Sequence, residues 1–199
     1  MRVLALSDME SRYYYDYYTD GKLSSFDLII ACGDLRREYL EFLVTMAGCP
    51  LLYVRGNHDD RLISEPPEGC VCIDGSFYVY KGIRFVGLGG SYRYRSGDCM
   101  YTERQMKRRI LRLLPPILLH GGFDVLVTHA PARGRGDFDA LSHRGFECFN
   151  TLLRRWHPAY FIHGHIHKNY GPHIPQKTVC GSTTIINAFE HCVFDINPS

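Results

Sequence analysis

The stretch Leu51-Leu52-Tyr53-Val54-Arg55-Gly56-Asn57-His58-Asp59-Asp60 decides the reading of this chain. Four apolar residues run without alternation towards a glycine, an amide, an imidazole and two carboxylates. A short continuous apolar run that stops at a glycine reads as a strand covered on both faces, and the polar cluster is then the turn at its end. Four other stretches share the plan: VLALSD (Val3 to Asp8), LIIACGD (Leu28 to Asp34), VLVTHAP (Val125 to Pro131) and YFIHGHIH (Tyr160 to His167). Strands buried on both faces belong to α/β layers, and their chemistry sits at the strand ends.

The gaps between these strands read as helices. Leu35 to Ala47 carries Leu35, Tyr39, Phe42, Leu43 and Met46 at helical spacing and ends at Gly48. Thr102 to Leu114 opens with Thr102 and Gln105 in capping-box spacing and is expected to stop before Pro115 and Pro116. His143 to Trp156 reads similarly, with Phe146, Phe149, Leu152 and Leu153 on one side. Phe77 to Tyr80 and Ile83 to Gly87 flank a Lys81-Gly82 turn as a hairpin, and Thr183 to Ile196 supplies closing strands. No repeat or linker divides the chain, so residues 1–199 read as a single domain.

Lysine and arginine number 23 against 21 aspartates and glutamates, a balance that argues against bulk attraction to nucleic acid or anionic membrane. An anionic substrate must be recognised locally. The N-terminus carries only a short apolar run before Ser7 and Asp8, neither a signal peptide nor a membrane span, and a cytoplasmic enzyme is expected. The eight cysteines are scattered and contain no CxxC pair. Cys70 and Cys72 alone would make a poor zinc site, and the cysteines read as small buried hydrophobes.

The strand-end residues Asp8, Asp34, Asn57, His58, His129, His165 and His167 mix carboxylate, amide and imidazole, which suits a pair of borderline metal ions. Each piece has a second reading when taken singly. Gly33-Asp34 can be a turn, Asn57-His58-Asp59 a polar loop and Gly164 a bulge. The order of the pieces, D-x-x, GD, GNHD, a strand-end histidine and GHxH, resembles the calcineurin-like metallophosphoesterase superfamily, over Asp8 to His167. The resemblance implies an α/β fold, a two-sheet α-β-β-α sandwich with a dinuclear metal site at strand C-terminal ends. It also implies roles: Asp34 bridging two ions, Asp8 and His167 on the first, and Asn57, His129 and His165 on the second. His58 would assist the leaving group while a metal-bridging hydroxide attacks phosphorus, with Asp59 orienting His58. Asp59 reads equally well as a surface carboxylate or a salt-bridge partner of Arg55 or Arg61.

One departure stands out. The family's first motif is Asp-x-His, whereas here it is Asp8-Met9-Glu10. Glu10 is expected to join the first metal or its waters, which favours manganese, with iron, zinc, nickel or magnesium as alternatives to fill the two-ion site. A loop role is the other reading. Tyr13 to Tyr18 forms an aromatic run, with Tyr14, Tyr17 and Tyr18 at the spacing of a helix packed on the sheet. Arg93 and Arg95, after the glycine-rich turn, are candidates for gripping a phosphate; Arg133 and Arg135 read as a charged loop as readily as an anion site. His163 reads as a core or supporting histidine, and His120, His143, His157, His173 and His191 receive no chemistry.

These residues lead to metal-dependent hydrolysis of a small phosphate ester, with a phosphodiester favoured by analogy to small members of the family. A nuclease or a non-catalytic scaffold of the same fold are the alternatives.

Overall fold

The computed structural model describes residues 1–171 and 174–197; His173 lies outside them. Among the described residues, thirteen strands and three helices follow in chain order. β1 (Arg2–Leu6), β2 (Leu28–Ala31), helix α1 (Arg37–Ala47), β3 (Leu51–Tyr53) and β4 (Val71–Cys72) come first. β5 (Phe77–Tyr80), β6 (Ile83–Leu88), β7 (Ser91–Tyr92), β8 (Met100–Tyr101), helix α2 (Glu103–Leu119) and β9 (Val125–Thr128) follow. Helix α3 (Glu147–Trp156), β10 (Tyr160–His163), β11 (Lys177–Cys180), β12 (Thr183–Asn187) and β13 (Cys192–Asp195) complete the series.

Two main sheets result. One has the order β13-β1-β2-β3-β4, with β1 to β4 mutually parallel and β13 antiparallel at the edge. The other runs β11-β12-β10-β9-β6-β5, parallel through its middle four strands, with antiparallel edges at β11 and β5. Alternate residues of each strand face opposite ways, and here both faces are apolar. Val3, Ala5, Leu28, Ile30 and Leu52 of the first sheet meet Phe85, Val125, Val127, Ile162 and Ile186 of the second. The first sheet's other face, Leu4, Leu6, Ile29 and Tyr53, is covered by Tyr39, Leu40 and Leu43 of α1. Val86, Leu126, Phe161 and Ile185 of the second sheet take Met106, Ile110 and Leu113 of α2 and Phe149, Leu152 and Leu153 of α3. The layers are therefore α-β-β-α, as the resemblance implies, and the parallel strands of both sheets bring their carboxyl ends to the metal-ligand candidates.

Local chemistry accounts for most boundaries, and packing accounts for the corrections to them. α1 ends at Gly48, which takes the left-handed conformation at φ 63°. The Thr102 and Gln105 capping box forms as expected, but α2 runs through Pro115 and Pro116 to Leu119. The prolines deprive only the carbonyls of Leu111 and Arg112, both on exposed residues. Ile117 is fully buried one turn beyond Leu113. Burial of such side chains is worth about 1.5–3 kcal/mol each, comparable to the proline penalty of about 3 kcal/mol.

The third helix begins at Glu147, not His143. Gly145 packs directly on the backbone of Pro131 and Ala132, and Phe146 bridges Ala132, so this segment is extended. His143 sits instead in a 3-10 turn, Leu141–His143. The tyrosine run is a series of turns and not a helix; Tyr14 is buried and Tyr15 and Tyr18 pack beside it, whereas Tyr17 faces solvent. Cys72 is exposed and Cys70 half-buried, so these two are not core residues. Among the described residues, no helix is long and apolar enough to cross a membrane.

Candidate metal centre

Asp8, Asp34 and Asn57 follow β1, β2 and β3 of one sheet, and His129, His165 and His167 follow β9 and β10 of the other. They line or floor a cleft of about 710 Å³. The turns that aim them are tight. Asp8, Asp34 and His165 all have left-handed backbones, with φ of 65°, 55° and 68°. Such conformations are uncommon outside glycine and persist where surrounding contacts enforce them. Here the enforcing contacts are visible: Asp8 Oδ2 accepts the His165 backbone N–H at 2.8 Å, and Asp34 Oδ1 accepts that of His58 at 2.8 Å. Gly56 and Gly164 are required by proximity, since a Cβ at either would run into Asp34 or into Ser7 and Asp8.

Asp8, Asp34, His129 and His165 each offer a ligand atom, and these atoms lie within 4.8 Å of one another. The hydrogen bonds identify which atoms face inward. His129 Nδ1 donates to the Cys32 carbonyl at 2.7 Å, so Nε2 faces the Asn57 Oδ1 at 2.9 Å and Asp34 Oδ2 at 3.4 Å. His165 Nε2 donates to the Ser142 carbonyl at 2.6 Å, which leaves Nδ1 with its lone pair. Asp8 Oδ1 is buried with no donor in hydrogen-bonding geometry among the described residues, although His167 Nε2 faces it at 3.4 Å. Atoms that accept, facing one another with no donor between, suit a cation: ligands at right angles about 2.1 Å from an ion stand about 3 Å apart. The donor set, two carboxylates, an amide oxygen and two imidazoles, fits a divalent metal of borderline or hard character.

Without a cation, a proton takes its place. Burial opposes charge on His129, but Asp34 and its hydrogen bond outweigh it and raise the imidazole to about 9. Burial likewise opposes charge on Asp34, yet His129 holds it at about 2. Burial, aided by the charged His129, depresses His165 to about 3, so this ring is neutral.

Other expected site residues fall elsewhere. Glu10 does not point into the cluster; its carboxylate takes a bidentate pair from Arg36, at 2.6 Å from Nε and 2.5 Å from Nη2. Asp59 does not orient His58. Its Oδ2 accepts the backbone N–H groups of Asp34 at 2.8 Å and Gly56 at 2.7 Å, fastening two ligand-bearing turns together. Burial, with Asp34 nearby, pushes this carboxyl up to about 6. Neither suggested salt bridge forms, since Arg55 pairs with Asp74 and Arg61 with Glu65. His58 is exposed in the cleft, and its Nδ1 meets Nη2 of Arg95 at 3.0 Å. Arg93 turns away to the Met100 carbonyl. Arg133 pairs with Asp137 and Asp139, and Arg135 reaches Asn150. His163 is buried beside Gly164, in keeping with a core histidine.

Several cleft residues escape a reading by motif. His143, given no chemistry, packs its ring 5.6 Å from that of His165, and Tyr170 stacks on His167 at 4.7 Å. Arg36, Arg37, Arg61 and Tyr94 complete the walls. Only the local polar run after each strand signals a site, and these groups lie outside such runs.

Comparison with known proteins agrees with this geometry. The family model described as calcineurin-like phosphoesterase matches residues 1–169. UPF0046 protein C25E10.12 of Caenorhabditis elegans is 41% identical over 225 aligned positions, covering 94% of this chain and 74% of that protein. Human metallophosphoesterase domain-containing protein 1 is 35% identical over 122 positions, 60% of this chain and 34% of that protein. The crystal structure of TT1561 of Thermus thermophilus shares the fold at a TM-score of 0.58 and 11% identity, covering 95% of this chain and 89% of that one. With the strand-end motifs, the converging acceptors and these matches in hand, the chain belongs to the calcineurin-like phosphoesterase family, whose chemistry is metal-dependent hydrolysis of phosphate esters.

Proposed function

We propose that this protein hydrolyses small phosphodiesters in the cleft between its sheets, using divalent metal held by Asp8, Asp34, Asn57, His129 and His165, with manganese the favoured ion because three of these five donors are oxygens. The observation that carries the reading is the set of acceptors that face one another at His129, Asn57 and Asp34, with the buried Asp8 Oδ1 facing only His167 Nε2 at 3.4 Å. When bound, the metal supplies Lewis acidity and an activated water. The protein's own groups do the rest. Arg36, Arg37 and Arg61 line the cleft, each paired with a glutamate (Glu10, Glu41 and Glu65) and offering its spare N–H groups to the phosphoryl oxygens, while Tyr94, His143 and Tyr170 add aromatic surface. A diester has an organic group on each side of phosphorus, and the cleft is open enough to hold both. Arg95 donates to Nδ1 of His58, so the ring carries its proton on Nε2 and presents that N–H as a hydrogen-bond donor that stabilises the charge developing on the departing oxygen.

Turnover of bis-p-nitrophenyl phosphate and p-nitrophenyl phosphate, measured with added manganese and with chelator, tests this. The expected result is manganese-dependent hydrolysis with the diester preferred. Hydrolysis of the monoester alone removes the diester preference, and no turnover of either by metal-loaded protein contradicts the enzymatic reading and favours the scaffold.

A further inference from the structure

The donors around the cleft are unevenly divided. Among the described residues, the one tight group of ligating side chains is Asp8, Asp34, His129 and His165; neither Glu10 nor His167 belongs to it. His167 Nε2 stands 3.4 Å from Asp8 Oδ1 on the other side. An ion placed there meets few free atoms. Asp8 Oδ2 is committed to the His165 N–H, Asp34 Oδ1 to the His58 N–H, and Asp34 Oδ2 faces His129. What remains is one imidazole, His167, facing Asp8 Oδ1, an oxygen that the other ion also uses. The next donor in the chain is residue 10, where the motif has glutamate and both oxygens are taken by Arg36.

That pair resists being opened. Two charge-assisted bonds from one guanidinium to one carboxylate are stronger and more directional than a single contact. The Glu10 side chain is 22% exposed and that of Arg36 68%, so the carboxylate is sheltered while the guanidinium lies open to water and ligand. Coordination by Glu10 would break both bonds and leave a guanidinium unpaired on the wall of a cleft that already holds a dication. Arg36 meanwhile keeps part of its donor capacity. A guanidinium has five N–H groups, and Glu10 takes two.

We infer that the Glu10–Arg36 pair stands in for a second metal: the cleft takes one tightly bound divalent cation, at Asp8, Asp34, Asn57, His129 and His165, and Arg36 offers its remaining donors to the phosphoryl oxygens. This rests on the metal-dependent reading above and narrows the two-ion expectation. Arg36 is here a substrate-binding group, and Glu10 the residue that positions it.

The test is metal stoichiometry. The full chain is loaded with manganese, desalted and measured by elemental analysis, with electron paramagnetic resonance to separate isolated from coupled ions. The wild type is expected to hold one manganese with an isolated-ion spectrum, and Glu10→His a second, coupled ion. Two tightly held ions in the wild type overturn the inference and leave the metal-dependent reading standing. No bound ion overturns both. Glu10→His folded but still at one ion removes Glu10 as the cause; wild-type stoichiometry decides the cation number even if that variant does not fold. Arg36→Lys keeps the charge but loses the planar fork, so it should retain one ion while KM for bis-p-nitrophenyl phosphate rises about threefold to tenfold and kcat changes less. An unchanged KM removes Arg36 from substrate binding.

Discussion

Asp8, Asp34 and His165 pass through left-handed backbone, a strain of about 1–3 kcal/mol apiece that the hydrogen bonds between their turns offset. The strain buys aim: each side chain leaves its strand pointing at the same small volume. Within that volume the proton on His129 competes with metal. Its folded pKa is raised to about 9, so below that value binding must displace a proton, whereas Asp34, at about 2, is already ionised near neutrality. Manganese affinity should therefore fall, by up to about tenfold per pH unit, as pH drops below 9. Calorimetry in buffers of different ionisation enthalpy should detect close to one proton released near neutral pH; zero release would contradict the assignment. His58 carries a different expectation. His58→Ala should retain metal yet lose about a hundredfold to a thousandfold in kcat towards poor leaving groups, and full activity in that variant would end its leaving-group role. The residue types of the cluster are legible in the sequence because each follows an apolar run. The partners of Glu10 and Asp59 are not, because Arg36 lies 26 positions from Glu10 and the Asp34 amide 25 from Asp59.

Strands are the readable elements. A run such as Val125 to Thr128, fully buried on both faces, has few alternatives once it ends in a histidine and a turn. Helix ends are less readable, because tertiary packing can outweigh a local stop signal. Pro115 and Pro116 should end α2 by local rules, yet Ile117 is drawn into the core with Leu113. That packing makes Pro115→Ala stabilising: alanine restores a backbone donor to the Leu111 carbonyl at an exposed position. An increase of about 1–2 kcal/mol in unfolding free energy is expected from urea titration, less than the full proline penalty because the unfolded chain gains freedom. No increase would mean that the helix is not held as described. Likewise, Phe146, Phe149 and Leu153 share a helical face by periodicity, which draws His143 into the same helix on paper. The close approach of Gly145 to the 131–132 backbone redirects the chain and leaves His143 beside His165.

Across the whole molecule, the two sheets meet through apolar faces and through the cleft they share. One sheet supplies carboxylates and an amide, the other imidazoles, so a bound cation links both. A ligand that binds only the folded arrangement stabilises it by about 2.7 kcal/mol at about a hundred times its Kd. Chelation should lower Tm by about 5–10 °C under those conditions, a shift that scanning calorimetry reads directly. The layer order is legible from five apolar runs and their shared plan, whereas the pairing of Glu10 with Arg36 needs the sheets to be assembled. The most direct test of the account is anomalous diffraction at the manganese edge from crystals of the wild-type protein grown with manganese. The account predicts a peak enclosed by Asp8, Asp34, Asn57, His129 and His165; no peak there, with metal absent or bound elsewhere, would contradict it.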